Sequence, residues 1–166
     1  MNNTIESIIQ TLQLEKHCEG GYYRRTSCTE QTCKNVNGEE RPLMTSINYF
    51  LTKYSPISYF ATNLSNLILF HHTGAPLKIL ILDKAGNLIE HILGSDLSAG
   101  QIPHLFCQSG TCKAYDLMDG EYALISESVS PGFDYKDMHM PNYKEIDQLS
   151  NGSAEQLKKY IKKEGN

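Results

Sequence analysis

The chain has 166 residues, of which 40% are hydrophobic and 20% charged, and its formal net charge is −4. This length is typical of one domain, so we expect residues 1–166 to fold as a single unit without help from disulfides or metal. Because the basic residues are not gathered into a stripe and no apolar run approaches about 18 residues, the sequence argues against nucleic-acid binding and against a membrane span.

Near the start of the chain, apolar residues recur at helical spacing: Ile5, Ile8, Ile9 and Leu12. Asn3 and Glu6 form a capping-box pattern at the beginning of this predicted helix. The first residues lack the basic start and continuous apolar core of a signal peptide. We therefore expect a cytoplasmic protein whose five cysteines are reduced thiols.

The middle of the chain predicts short strands separated by turn residues. Residues 22–25 alternate faces along one of these strands, and the other predicted strands are 43–52, 77–83, 88–93, 101–107, 112–117 and 122–129. The polar stretch 28–41 is most simply a hairpin loop. Many short strands at this spacing are typical of an all-β sandwich or barrel.

The end of the chain predicts a return to helix. A short helix is expected over residues 144–149, and Ser153 with Gln156 repeats the capping pattern ahead of a second one. A narrow apolar stripe follows at Leu157, Tyr160 and Ile161, and Gly165 then favours a stop. The sequence thus predicts a barrel core over about residues 19–140 and a helical C-terminal extension over about residues 143–163.

A set of motifs in fixed order carries a family resemblance. They are Glu19-Gly-Gly-Tyr-Tyr-Arg-Arg-Thr26, Thr45-Ser-Ile-Asn-Tyr-Phe-Leu51, Gly74-Ala-Pro-Leu77, Leu93-Gly-Ser-Asp-Leu97, Gly100-Gln-Ile-Pro103, Ser109-Gly110 and Ser130-Pro-Gly-Phe-Asp134. From about residue 12 to about residue 140 they resemble the DUF985 group (Cupin_5) of the cupin superfamily. The resemblance implies an antiparallel jelly-roll barrel, the double-stranded β-helix of RmlC-like proteins. It also implies a homodimer and a shape related to sugar-nucleotide epimerases.

Cupins that bind metal carry a sequence pattern similar to His-x-His-x3-Glu-x6-Gly, with a later His three residues after a Gly. Anchored on Gly74, the four ligand positions fall on Ala61, Asn63, Leu67 and Lys113. Ala and Leu offer no lone pair, and Lys would bring a positive charge against the cation. The sequence therefore predicts no metal and no cofactor. The group often has Trp at the positions of Leu69 and Cys112, which predicts an enlarged lumen here.

Strand alternation predicts which polar side chains point into the barrel. Asn63 and His71 share a face with residues 61, 67 and 69, while Lys113 and Tyr115 share a face of a later strand. A buried Lys113 would suit a phosphate or carboxylate, and desolvation would lower its pKa and make it a base; the alternative is a Lys at the rim with its head in water. His104 lies on the strand before Lys113.

These positions define a candidate site. His71 is predicted to be a general base, with Tyr115 or Tyr49 as the acid, in epimerase- or isomerase-like chemistry; the alternative is a hydrogen-bonded core His71. The predicted ligand-binding residues are Asn63, His104, Lys113 and Tyr49. Two other residues are given no role in the site. Glu19 is expected to pair with Arg24 or Arg25 at the surface, and His17 is expected to face solvent.

Three hypotheses remain open at this point. The first is a metal-independent protein that binds, or acts on, a small anionic or sugar-like molecule in its barrel. The second is a non-catalytic cupin scaffold that acts through dimerisation or partner binding. The third is a metalloenzyme whose metal site has been relocated.

Overall fold

The computed structural model describes residues 4–83 and 85–163. The helices are α1 (Ile5–Thr11), α2 (Tyr143–Leu149) and α3 (Ala154–Leu157). The strands are β1 (Glu15–Lys16), β2 (Tyr22–Cys28), β3 (Thr32–Lys34), β4 (Glu40–Pro42), β5 (Thr45–Thr52), β6 (Ile57–Asn63), β7 (Asn66–Gly74), β8 (Leu77–Leu82), β9 (Leu88–Leu93), β10 (His104–Cys107), β11 (Cys112–Asp116), β12 (Tyr122–Ser130) and β13 (Met138–His139). Short 3-10 turns occupy Leu97–Ala99, Tyr135–Asp137 and Lys158–Tyr160.

The strands form two antiparallel sheets that face each other. One has the strand order β1-β2-β5-β12-β7-β10, the other has the order β13-β6-β11-β8-β9, and β3 pairs with β4 in a separate ribbon. Apart from the pairs β1–β2 and β8–β9, neighbouring strands within each sheet are not consecutive in the chain, as in a jelly roll. The predicted all-β jelly-roll fold with helices at both ends is confirmed. Each strand predicted from residue 43 onwards matches an observed strand to within about three residues.

Alternation along the strands builds the core between the sheets. In β12, Ala123, Ile125 and Val129 are buried on the inner face, while Ser126 and Ser128 lie on the outer face. They meet Leu77 and other apolar residues of the facing sheet in one continuous cluster. Burying a side chain of this size stabilises the fold by roughly 1.5–3 kcal/mol, so this cluster holds the two sheets together.

The N-terminal helix covers the outer face of the six-stranded sheet. Ile5 and Ile8 of α1 pack with Phe50 from β5. The N-cap is Thr4, whose side chain accepts a hydrogen bond from the Ser7 N–H at 3.2 Å. Asn3, the cap expected from sequence, lies outside the described residues.

The C-terminal helices cover the outer face of the five-stranded sheet. Ile146, Leu157 and Tyr160 pack on Phe60 and Cys112. Cys112 therefore points away from the lumen, and the prediction that its replacement of a Trp enlarges the lumen is wrong for this position. The reason is its register: Cys112 and Lys113 are consecutive on β11 and must point to opposite faces. Of the described helices, none has both the length and the apolar character needed to cross a membrane.

Candidate ligand cavity

A cavity of about 500 Å³ opens between the two sheets at one end of the barrel. Strands β2, β5 and β12 supply one wall, and β6 and β11 supply the other. The loop before β2 and the segment 133–138 complete the lining. The polar and aromatic lining residues are Glu15, His17, Glu19, Tyr23, Arg24, Arg25, Thr45, Ser46, Tyr49, Thr62, Asn63, Lys113, Glu127, Phe133, Asp134 and Tyr135.

The buried Glu and Lys side chains that line this cavity are Glu19, Lys113 and Glu127, and we call them the lumen triad. Their exposed fractions are 8%, 6% and 8%, respectively. Glu19 Oε2 accepts a hydrogen bond from Ser58 Oγ at 3.3 Å. Among the described residues, no direct ion pair joins members of the triad. Their charged ends therefore interact through space and remain free to contact a molecule in the cavity.

The charges of the triad act on one another. Burial raises the pKa of Glu127 and of Glu19, and the Lys113 ammonium only partly offsets this. Burial alone would lower the pKa of Lys113, but Glu19 and Glu127 outweigh it and raise the pKa above its ordinary value. Lys113 is therefore an ammonium at neutral pH. This corrects the expectation that desolvation lowers its pKa and makes it a base.

His17 lines the cavity beside the triad instead of facing solvent. Burial lowers the pKa of His17 to about 4, so its imidazole is neutral at neutral pH. Its Nδ1 accepts a hydrogen bond from the Glu19 N–H at 3.2 Å, which leaves Nε2 to carry the proton. The His17 ring packs edge-on against Tyr23 and Tyr49, with centroid distances of 4.6 and 5.5 Å.

Aromatic and basic side chains surround the mouth of the cavity. The Tyr135 hydroxyl donates to the Tyr23 hydroxyl at 3.2 Å, and the Phe133 ring lies 5.0 Å from the Tyr135 ring. Arg25 is exposed at the same mouth and donates to the Phe133 carbonyl at 3.3 Å, whereas Arg24, the preceding residue on β2, extends from the outer face with Tyr22. The cavity therefore combines buried ionisable side chains with an entrance that carries aromatic rings and the Arg25 guanidinium, and its lining also includes Glu15 and Asp134.

A buried ion pair anchors the segment that forms part of this mouth. Asp137 accepts hydrogen bonds from Arg41 on β4, with Nε–Oδ2 and Nη2–Oδ1 distances of 2.8 and 2.7 Å. The Asp137 carbonyl also accepts a hydrogen bond from the Leu64 N–H at 3.1 Å. The guanidinium of Arg41 holds the pKa of Asp137 below its ordinary value. The β3–β4 ribbon thus fixes the position of the aromatic residues at the mouth.

Three of the predicted site residues line the cavity: Asn63, Tyr49 and Lys113. Asn63 Oδ1 accepts from the Ser65 N–H at 2.9 Å, and the Tyr49 hydroxyl donates to the Gly20 carbonyl. Tyr49 and Asn63 are therefore already engaged, whereas no ion pair of the Lys113 ammonium is found within the part of the chain that the structure describes. This distribution makes Lys113 the predicted residue best placed to contact a ligand.

The other three predicted residues lie away from the lining. Tyr115 is buried at the next inward position of β11 after Lys113. Its hydroxyl has no hydrogen-bond partner among the described residues. His71 Nε2 lies 3.1 Å from the Ala75 carbonyl oxygen, beyond the end of the cavity. His104 is exposed on the edge strand β10, with its ring 6.2 Å from that of Phe70. We therefore assign no role in the cavity to His71 or His104.

The residues at the expected cupin metal positions do not fit a metal ion. Asn63, Leu67 and Lys113 line the cavity, and Ala61 pairs with Lys113 across the strands. A buried ammonium at one position and two apolar side chains at others cannot coordinate a divalent cation. Throughout residues 4–83 and 85–163, no cluster of three or more His, Cys, Asp or Glu side chains has a metal-binding arrangement.

Sequence reasoning missed Glu127, Glu19 and His17. Glu127 carried a usable signal, because it shares an inner face with Ile125 and Val129, where a lone carboxylate is unusual. Glu19 and His17 lie in the turn before β2, where no periodicity indicates direction. Glu19 is buried against Ser58, and no ion pair with Arg24 or Arg25 is found among the described residues.

Comparisons with known proteins agree with this architecture. The family model Cupin_5, described as Cupin superfamily (DUF985), matches residues 6–141. The chain is 32% identical over 149 residues to the uncharacterized protein YML079W of Saccharomyces cerevisiae, covering 81% of this chain and 74% of the yeast protein. A hypothetical protein from Leishmania major matches with a TM-score of 0.90 and 25% identity, over 97% of this chain and 100% of the other. Protein SO0799 from Shewanella oneidensis matches with a TM-score of 0.88 and 25% identity, over 98% and 99% of the two chains.

Proposed function

Since this chain belongs to the Cupin_5 (DUF985) family of the cupin superfamily, we propose that its barrel binds a small hydroxylated molecule that carries an anionic group, without a metal ion. One observation carries this proposal: the buried side chains of Glu19, Lys113 and Glu127 line a cavity of about 500 Å³. A cavity of this size suits a small molecule.

The lumen triad favours a ligand rich in hydroxyl groups. Burying a charged side chain away from water costs on the order of several kcal/mol unless the charge is paired or hydrogen-bonded. Hydroxyl groups both donate and accept hydrogen bonds, so they can satisfy the Glu19 and Glu127 carboxylates and the Lys113 ammonium together. A fully anionic group at this depth would meet two carboxyl groups beside a single ammonium. The deep end of the cavity therefore favours the neutral, hydroxylated part of the ligand.

The mouth favours the anionic part of the same molecule. Arg25 lines the exposed end of the cavity, and a guanidinium group matches the geometry of phosphate and carboxylate. The rings of Tyr23, Tyr135 and Phe133 stand beside it and offer apolar surface to a carbon skeleton. A sugar phosphate has this arrangement of groups, with hydroxyls at one end and an anion at the other.

A thermal-shift comparison tests the proposal. We expect ribose 5-phosphate or glucose 6-phosphate to raise the melting temperature more than ribose, glucose or inorganic phosphate at the same concentration. Stabilisation should approach about 2.7 kcal/mol at 100 times the dissociation constant. A shift produced equally by inorganic phosphate would contradict the hydroxyl contacts.

Two variants locate the binding site. Lys113→Met is expected to abolish the ligand-induced shift, because it removes the only cation of the lumen triad while keeping the volume similar. Lys34→Met, on the exposed strand β3, is the matched control and should leave the shift unchanged. Equal binding by Lys113→Met and the wild-type protein would exclude the cavity as the site. No stabilisation by any probe would favour the alternative of a non-catalytic scaffold.

A further inference from the structure

The two carboxyl groups of the lumen triad approach the cavity from opposite walls. Glu127 extends from the inner face of β12 in the six-stranded sheet. Glu19 is hydrogen-bonded to Ser58 on β6, in the five-stranded sheet. Lys113 extends from β11, the neighbour of β6. A molecule held between the sheets would therefore present opposite faces to the two carboxyl groups, with an ammonium at its side.

We propose that Glu127 and Glu19 act as base and acid on opposite faces of one carbon atom of the bound molecule, while Lys113 holds the carbonyl oxygen next to that carbon. This inference rests on the proposed function and narrows its ligand to a hydroxylated aldehyde or ketone that bears an anionic group. It assigns inversion at the carbon adjacent to the carbonyl.

The charge balance of the cavity supports this division of roles. Two ionised carboxylates beside one buried ammonium would leave an uncompensated negative charge, which burial strongly disfavours. One shared proton makes the triad neutral, with one carboxylate, one carboxylic acid and one ammonium. Burial raises the pKa of both glutamates, in the direction that this state requires. An acid and a base are then available at the same pH.

The other titratable groups that face the triad add no charge at neutral pH. Burial lowers the pKa of His17 to about 4 and raises the pKa of Cys107 on β10 to about 11. Burial also raises the pKa of Tyr49 on β5 and of Tyr115 on β11 well above the ordinary tyrosine value. All four groups are therefore neutral, and the proton content of the triad alone sets the charge of the cavity floor.

The proposed step balances without an oxidant or a reductant. The ionised carboxylate removes the proton from the carbon, and the C–H electron pair forms a C=C bond as the carbonyl becomes an enolate oxygen. The Lys113 ammonium stabilises that oxygen. The carboxylic acid on the opposite face then delivers its proton to the same carbon, and the carbonyl re-forms. The carbon is inverted, and the two glutamates have exchanged protonation states.

Deuterium incorporation from D₂O provides the first test, with ribulose 5-phosphate, ribose 5-phosphate and glucose 6-phosphate as probes. We expect at least one probe that stabilises the wild-type protein to gain deuterium at the carbon next to its carbonyl. Inversion should slow by about 100-fold or more in Glu127→Gln and in Glu19→Gln, because each loses one proton-transfer group. Glu90→Gln, an exposed carboxylate on β9, should keep the wild-type rate.

The outcomes separate this inference from the proposed function. A probe that stabilises the protein through Lys113 but gains no deuterium would overturn the acid–base pair and leave the binding function intact. Stabilisation by none of the probes would refute both. Carbon-13 NMR of the glutamate carboxyl groups tests the inference without substrate or activity. We expect one of the two lumen carboxyl groups to be protonated at neutral pH, and finding both ionised would overturn the pair even if the variants fail to fold.

Discussion

At the scale of single residues, alternation along two facing strands places unlike side chains in one lumen. On β11, Lys113 and Tyr115 point inward while Cys112 and Ala114 pack under the C-terminal helices. On β12, Glu127 occupies an inner position that its neighbours fill with apolar side chains. Lys113 and Glu127 thus meet from opposite sheets at a cavity, where a ligand or water can complete their hydrogen bonds.

Glu127 makes the stability of the protein depend on pH in a predictable direction. Its folded-state pKa is raised above the ordinary glutamate value, so between these two values the folded protein holds a proton that the unfolded chain has lost. The unfolding free energy contributed by Glu127 therefore falls as the pH rises through this window. We expect the difference in unfolding free energy between wild type and Glu127→Gln to fall with rising pH, as measured by urea unfolding at a series of pH values.

Glu121→Gln is the control for this measurement, since Glu121 is exposed and forms an ion pair with Lys53. The Glu121→Gln difference should stay nearly constant over the same pH range. A Glu127→Gln difference that rises with pH would mean that the folded state stabilises the ionised carboxylate, contrary to the burial seen here.

At the scale of elements, a tight turn and the C-terminal segment position Glu19. Gly20 has a φ of +100°, and a Cβ there would lie 2.2 Å from the Ile57 carbonyl oxygen, so only glycine suits this position. The Tyr59 N–H donates to the Glu19 carbonyl at 2.7 Å, and Lys162 Nζ donates to the Cys18 carbonyl at 3.0 Å. The C-terminal segment thereby contacts the turn that carries Glu19 into the cavity.

The C-terminal segment is attached by a buried carboxylate that allows a matched test. The Tyr160 hydroxyl donates to Asp116 at 2.7 Å, and Asp116 is 6% exposed. Tyr160→Phe should lower the unfolding free energy by about 1.5–3 kcal/mol, as expected for a hydrogen bond to a charged group. Tyr143→Phe removes a hydrogen bond to the exposed Glu155 and should change stability little. Equal effects of the two variants in thermal unfolding would show that Asp116 does not anchor this segment.

At the scale of the whole molecule, the motifs and the strand pattern were sufficient to predict the jelly roll, and alternation correctly placed Asn63 and Lys113 on inner faces. Alternation does not give depth along the barrel, and this explains why His71 lies outside the cavity. Leu67 lines the cavity, but Leu69 is fully buried, so the lumen is already filled before His71 is reached. The predicted homodimer and cytoplasmic location stay predictions.

Two other differences between the predicted and the observed site arise because the two-residue alternation of a strand does not say which positions face inward, and does not apply to turns. His104 lies on an edge strand whose inward positions are taken by Leu105 and Cys107, so its assumed direction was off by one residue. Glu19 and His17 come from irregular backbone that folds back against β6, a long-range contact that no local pattern encodes. The fold was therefore predictable from the sequence, whereas Glu19, one of the three members of the lumen triad, was recognised only after the turn before β2 was seen in three dimensions.

NMR chemical-shift mapping of the isotope-labelled protein with ribose 5-phosphate tests most directly whether the barrel cavity at the lumen triad is the ligand site. We expect the largest shifts to fall on Asn63, Lys113 and Glu127, with smaller shifts at Arg25. Shifts confined to the outer surface around Phe70 and Phe106, with the signals of the lumen residues unchanged, would contradict this expectation.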